Sequence, residues 1–239
     1  MATRRCRPAR SRLPVSTMSA ARQRCEPRQF IARHVHRQGY VAIVLGGRYE
    51  EAGDGGLVRA EAGDVVFHGA YDGHLDRMGP KGAEILNLEL PADFAPAAEL
   101  GAFADPDQLA RAAERDPREA WALLLDGLTA GHRDDDDEWP DRLARDLRSD
   151  PQLSIGAWCQ RARLRPETVS RRFMATFGVG PRAFRAHARF RAARELIAAG
   201  RASLAEIAAG CGFADQSHMT RAVRAATGTT PRGLRAEVK

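Results

Sequence analysis

Between Gln216 and Arg224 the chain sets out Gln216, Ser217, His218, Thr220, Arg221 and Arg224, six hydrogen-bonding or cationic side chains within a short span. Arginine suits guanine edges and phosphates, glutamine suits adenine, and hydroxyls serve either, so the chemistry on offer is recognition of DNA. These groups need a helix to present them together. Met219, Ala222, Val223 and Ala226 recur at helical spacing on the opposite face, and Asp215 stands where an N-cap belongs. Ahead of it, Leu204, Ile207, Ala208 and Cys211 mark a shorter helix that Ser203 and Glu206 start as a capping box. Gly212 between the two is placed to supply a positive φ. Two short helices, the second polar and basic outside, outline a helix-turn-helix over 203–227.

The same outline occurs once earlier, over 154–177. Ile155, Trp158, Cys159 and Ala162 face inward on one helix, Arg163-Leu164-Arg165 makes the turn, and Pro166 opens the next helix. That helix buries Val169, Phe173 and Phe177 and shows Thr168, Ser170, Arg171 and Arg172 to solvent. Residues 181–199 read as one continuous helix between the units. A stiff helix fixes the separation of two modules, which a flexible linker would not.

Charge is segregated along the 239 residues despite a net charge of only +6. Residues 1–28 hold eight Arg against one Glu, 29–149 hold 13 basic and 24 acidic residues, and 150–239 hold 16 basic and 6 acidic. An acidic body with a basic C-terminal third fits a separate nucleic-acid module. The longest aliphatic run, Val41 to Leu45, is far short of the about 20 residues a membrane helix needs. Cys6, Cys25, Cys159 and Cys211 show no paired spacing, which fits a reducing cytosol, and Cys159 and Cys211 are expected as small core residues.

The Arg-, Ser- and Pro-rich residues 1–28 lack the apolar block of a secretory signal and are expected to be a disordered basic arm, with Met18 an alternative start. From Phe30 to Leu90 short β-type runs (Tyr40 to Leu45, Val65 to Phe67, Glu84 to Leu90) alternate with Gly/Asp turns, the pattern of a small barrel or jelly roll. Asp105-Pro106 and Asp116-Pro117 open helices, the second carrying an apolar stripe from Trp121 to Leu128 that either packs on the barrel or pairs two chains as a homodimer. The five-carboxylate run 134–138 repels itself and marks a boundary. The expected division is an arm at 1–28, a barrel with trailing helices at 29–133, an acidic linker and lead-in at 134–149, and a DNA-binding domain at 150–239. The fold class is α+β, in two domains.

Ile207-Ala208, Gly212-Phe213, Asp215 to His218, Arg221, Gly228 and Thr230-Pro231 resemble the AraC/XylS family signature, as do Arg171-Arg172-Phe173, Phe177-Gly178, Pro181, Phe184, Arg189, Ala193, Leu196 and Ile197. The resemblance covers about 150–236. It departs at Met219 and Val223, where the family usually has Phe, so repacking is expected there. It implies a single chain that lays two recognition helices in successive major grooves of promoter DNA.

A second resemblance is to cupins. His34-x-His36 with Tyr40 and Gly47 follows the first cupin motif, with Tyr40 where metal-binding members carry Glu; Gly63, Gly69 and His74 follow the second, with Gly69 at the usual Pro. The resemblance implies a pocket lined by His34, His36, Tyr40 and His74, and a divalent transition metal on His34, His36 and His74. His68 reads as structural. The reading that results is a cytoplasmic bacterial transcription regulator of the AraC family. A cupin-like barrel senses a small molecule or metal, and activation through RNA polymerase is the more usual mode in that family. The alternatives are a metal-dependent cupin enzyme carrying a DNA-binding appendage and an architectural DNA binder, whose affinity salt would dominate.

Overall fold

A computed structural model describes residues 18–91, 94, 96, 98–131 and 138–237. Eight antiparallel strands come first: β1 (Ala20–Cys25), β2 (Phe30–Val35), β3 (Tyr40–Gly53), β4 (Gly56–Glu61), β5 (Asp64–His68), β6 (Gly73–Glu89), β7 (Leu100–Ala102) and, after α1 (Pro106–Arg115) and α2 (Pro117–Gly127), β8 (Thr129–Ala130). The path is β1-β6-β3-β5-β7-β8, with β2 also on β6 and β4 also on β3. The two long strands β3 and β6 run through both halves of the sheet. Bulges between Val44 and Gly46 and between Gly47 and Tyr49 bend the pair. Gly47 must be glycine at that bend, because its φ is +72° and an added Cβ would lie 2.2 Å from the Gly82 carbonyl oxygen.

Two expectations change here. Residues 20–25, expected in a disordered arm, form β1 and pair with β6 from Ala20↔Leu88 to Cys25↔Ala83, because Ala21 to Arg24 can stay in solvent while the backbone completes the ladder. Residues 1–17 lie outside the described residues. The run Tyr40 to Leu45 does not end at Gly46-Gly47; the bulge carries the strand on to Gly53.

The stripe on α2 packs inward: Ala120, Trp121 and Leu124 join Val41, Phe67, Leu88 and Leu109 in one core, leaving Leu125 46% exposed. Asp105 and Asp116 cap α1 and α2 by accepting from the Gln108 and Arg118 amides. Residues 132–137 are outside the description, but 139–149, expected as part of a linker, form α3 (Trp139–Ser149). Its Leu143, Ala144 and Leu147, spaced along one helical face, are fully buried against Trp158, Phe173 and Phe177.

The remaining helices are α4 (Ile155–Ala162), α5 (Pro166–Phe177), α6 (Pro181–Ala199), α7 (Leu204–Gly210), α8 (Gln216–Thr227) and α9 (Pro231–Glu237). Both helix-turn-helix units and the connecting helix fall where the sequence places them. Ser203 and Glu206 form the reciprocal capping box, Asp215 accepts from the His218 amide, and Gly212 has φ +75°. In the first unit Arg163 takes the left-handed conformation instead, at φ 54°. Cys159 and Cys211 are core residues, as is Cys25. Met219 and Val223 are completely buried with Ile207 and Phe213, so smaller apolar side chains fill the second unit. Pro231 opens α9, with the Thr230 hydroxyl accepting from the Gly233 amide.

Candidate functional site

The residues expected from the sequence to face DNA divide between α5 and α8. Ser170, Arg171, Arg172, Gln216, Ser217, His218, Arg221 and Arg224 are exposed, while Thr168 and Thr220 are half-buried. The Thr220 hydroxyl donates to the Gln216 carbonyl at 2.8 Å, which occupies its hydrogen atom within the helix. The His218 ring stands edge-on to Phe213 at 5.3 Å, fixing it at the start of the helix. Arg172 is already engaged: it pairs with Glu138 and lies over the Trp139 ring at 5.6 Å. Arg221 and Arg224 point out from the middle and last turns of α8, on the same strip as Gln216 and Ser217. Helix α6 sets the spacing of the two reading helices, with Phe184 in the core of the first unit and Phe190, Ala193 and Ile197 in that of the second.

A cavity of about 600 Å³ opens inside the bent sheet. His34 comes from β2 and His36 directly follows it, Tyr40 and Glu51 come from β3, His68 from the end of β5, and His74 and Asp76 from β6. All four residues expected from the sequence line this cavity. His34 and His74 rings are 4.3 Å apart between centroids, and His36 and His74 5.5 Å. The His34 Nδ1–H donates to the Ala32 carbonyl at 2.9 Å, which leaves Nε2 as a lone-pair donor. His74 is buried, and its Nδ1 has no hydrogen-bond partner. An orphaned imidazole nitrogen fits a metal, and one ring nitrogen from each of His34, His36 and His74 lies within 4.8 Å of the others.

Tyr40 differs from the Glu it replaces. Its hydroxyl meets His74 Nε2 at 3.2 Å and its ring stacks on His68 at 4.4 Å. Burial, helped by Glu51 and Asp76, raises its phenol far above the ordinary value, so it stays a neutral hydrogen-bonding group. Burial likewise lowers His68 to about 3 and drives His74 far down, so both imidazoles are neutral and able to ligate. Burial raises Asp76 to about 7 and pushes Glu51 well above the usual carboxylate range.

Glu51, His68 and Asp76 are the cavity residues that the sequence does not disclose. His68, expected to be structural, has Nε2 only 3.5 Å from Glu51 Oε2, and both side chains are buried. Glu51 follows Tyr49 by two residues and shares its face, so the period of a strand finds it once β3 is known to continue past the bulge.

The loop between two cavity histidines reaches the helix-turn-helix region. Residues 69–73 join His68 to His74, and Tyr71 at the tip has φ 66°, a costly conformation for a bulky residue. Its amide donates to the His36 carbonyl at 2.7 Å and its carbonyl accepts from His187 of α6 at 2.9 Å. The ring is buried beside Phe190, Ile207 and Val223, edge-on to Phe190 at 5.6 Å and under Arg194 at 5.0 Å. Beside it, Asp54 accepts from the Gly73 amide at 2.9 Å and faces Arg33, His187 at 3.1 Å and Arg191 at 3.4 Å. Burial alone would raise the Asp54 carboxyl, but His187, Arg33 and Arg191 outweigh it and hold the group well below its ordinary value. Arg77 and Arg33 of the sheet also donate to the last carbonyls of α5, at Ala175 (2.8 Å), Thr176 (3.2 Å) and Phe177 (3.4 Å), where the negative end of the helix dipole favours a cation.

No helix of the described residues is long and apolar enough to cross a membrane. No curated protein sequence matches the chain. Among solved structures, an apo ToxT variant from Vibrio cholerae strain SCE256 aligns over 95% of this chain and 100% of its own, at 11% identity and TM-score 0.42. The C-terminal domain of AraT, a response regulator from Geobacillus stearothermophilus, aligns over 41% of this chain and 84% of its own, at 21% identity and TM-score 0.38. A probable AraC family transcriptional regulator from Rhodopseudomonas palustris CGA009 aligns over 41% and 94%, at 19% identity and TM-score 0.37. The family described as a helix-turn-helix domain matches residues 158–237, which takes in most of the first unit, the connecting helix and all of the second. Residues 158–237 form a helix-turn-helix domain of the AraC type.

Proposed function

We propose that this regulator binds promoter DNA sequence-specifically as one chain, reading two successive major-groove segments with α5 and α8. Its sheet cavity takes a small-molecule or divalent-metal effector, and it acts in the cytoplasm as an activator that contacts RNA polymerase. Arg171, Arg172, Arg221 and Arg224 supply the cations, and Gln216, Ser217 and His218 the base-edge partners. A homodimer is not needed for two-groove reading, since both reading helices lie in one chain.

One observation supports control by the cavity: the loop from His68 to His74 places Tyr71 in the core that carries α8. An effector between these histidines would act on both ends of that loop. Its effect on DNA occupancy equals the difference in its affinity for the two arrangements of the loop.

The test is selection of duplexes from a random pool by the full chain, then affinity measurement on the selected site. Two half-sites about one helical turn apart are expected. Arg221→Ala should cost about 1–3 kcal/mol on the selected site and less on random DNA. A pool that yields no enriched sequence refutes the reading.

A further inference from the structure

We propose that a divalent first-row transition-metal ion sits at the floor of the cavity on Glu51, His68 and His74, with the effector reaching it from the side of His34 and His36. This rests on the cavity being the effector site and names the chemistry of its floor. The outer set His34, His36 and His74 has no carboxylate, and His36 is exposed. The inner set is buried throughout and joins two neutral imidazoles to one carboxylate, a donor combination suited to iron, manganese, cobalt or zinc.

Three further observations converge on the same point. The 3.5 Å between His68 Nε2 and Glu51 Oε2 is long for a hydrogen bond, yet close to the roughly 3.4 Å edge of a tetrahedron with bonds of about 2.1 Å. His74 has its Nδ1 orphaned while Nε2 faces the Tyr40 hydroxyl at 3.2 Å and Asp76 at 3.9 Å. A carboxylate and a hydroxyl behind the far nitrogen orient a ligating imidazole and strengthen it as a donor. Charge is also unbalanced. Of the four acids gathered here, Asp54 and Asp72 have Arg33 and Arg191, whereas the described ion pairs of the buried Glu51 and Asp76 are with His68 and His74 alone. A doubly charged cation supplies what that pair lacks. The ion keeps open positions toward the cavity, so an effector bearing an oxygen or nitrogen donor would complete its shell.

The chelator-treated full chain is titrated with Zn²⁺ by calorimetry. One ion per chain is expected, with binding weakened more than about 100-fold by Glu51→Gln and less than about 10-fold by His34→Asn or His36→Asn. Because Glu51→Gln alters a buried group, the wild type is also loaded with Cu²⁺ and its coordinated imidazoles counted by pulsed paramagnetic resonance. Two imidazoles are expected. Three imidazoles, a larger loss from the His34 and His36 variants than from Glu51→Gln, or no stoichiometric Zn²⁺ binding would each overturn the inner site. The duplex selection needs no metal, so failure of the inner site leaves it standing, and failure of the selection leaves the titration readable.

Discussion

Arg191, on the helix between the two helix-turn-helix units, reaches into the sheet to within 3.4 Å of Asp54 Oδ2, and both side chains are at least nine-tenths buried. A buried pair of this kind punishes removal of one partner more than it rewards the pair itself. Asp54→Asn would leave Arg33 buried without the carboxylate it pairs with and Arg191 with Asp72 alone, though the Gly73 amide keeps an acceptor. The expected loss is about 3–5 kcal/mol of unfolding free energy, read from denaturant curves, and a fall in the midpoint of the transition that breaks the contact between sheet and helices. An unchanged curve would mean that Asp54 does not hold the two parts together.

The same carboxylate sets the acid limit of the contact. Its folded pKa is depressed, so its stabilisation is fully present above the unfolded value near about 3.9 and is lost as pH falls through the folded value. Stability due to Asp54 should therefore be flat from about pH 5 upward and decline only below about pH 4. Denaturation midpoints of wild type and Asp54→Asn measured across pH should converge at the acid end. A gap that closes near neutral pH instead would contradict this assignment.

Tyr71 contributes through its ring and its backbone. Among the described hydrogen bonds its hydroxyl makes none, so Tyr71→Phe should leave stability within about 0.5 kcal/mol of wild type. Tyr71→Ala removes the ring from the core around Phe190 and Ile207 and should cost about 3–5 kcal/mol. Amide exchange would localise the loss: α6 and α7 should open faster while the β3–β6 ladder keeps its protection. Equal deprotection of the sheet would show Tyr71 to be an ordinary core residue.

Arg172 is held by Glu138 and Trp139, both ahead of the first helix-turn-helix unit. Each charged side chain is about half exposed, so the pair is worth no more than about 1 kcal/mol. Glu138→Gln should free the guanidinium for phosphate, strengthening DNA binding a few-fold and steepening the salt dependence by about one unit in log–log slope. Loss of affinity would indicate that Glu138 positions Arg172 for the duplex.

The helical third was legible because its signals are local. Ser203 with Glu206, Asp215, Gly212 and Pro181 each act within one turn of their own position, so spacing alone places them. Helix α3 was hidden because the acidic run drew the eye from Trp139, Leu143 and Leu147, whose spacing is as regular as that of α8. The sheet was legible only in outline, since its pairings join distant residues: β1 meets β6 across 58 to 68 positions, and Arg-rich composition argued for disorder there. His34, His36, Tyr40 and His74 were found by their spacing. Glu51 and His68 could not be, because only the bulge at Gly46-Gly47 and the pairing of β3 with β5 bring them together.

The shortness of the loop joining His68 to His74 limits how freely this protein can be recombined. Only residues 69–73 separate the two cavity histidines, and they are tied to His36 on one side and to His187, Arg191 and Arg194 on the other. A chimaera cut at the acidic run would receive a folded sheet and a folded DNA reader, yet the loop would face a foreign helix. If the cavity takes an effector as proposed, such a hybrid would bind DNA and ignore that effector. Transplanting the response requires residues 69–73 and the matching face of α6 to travel as a set.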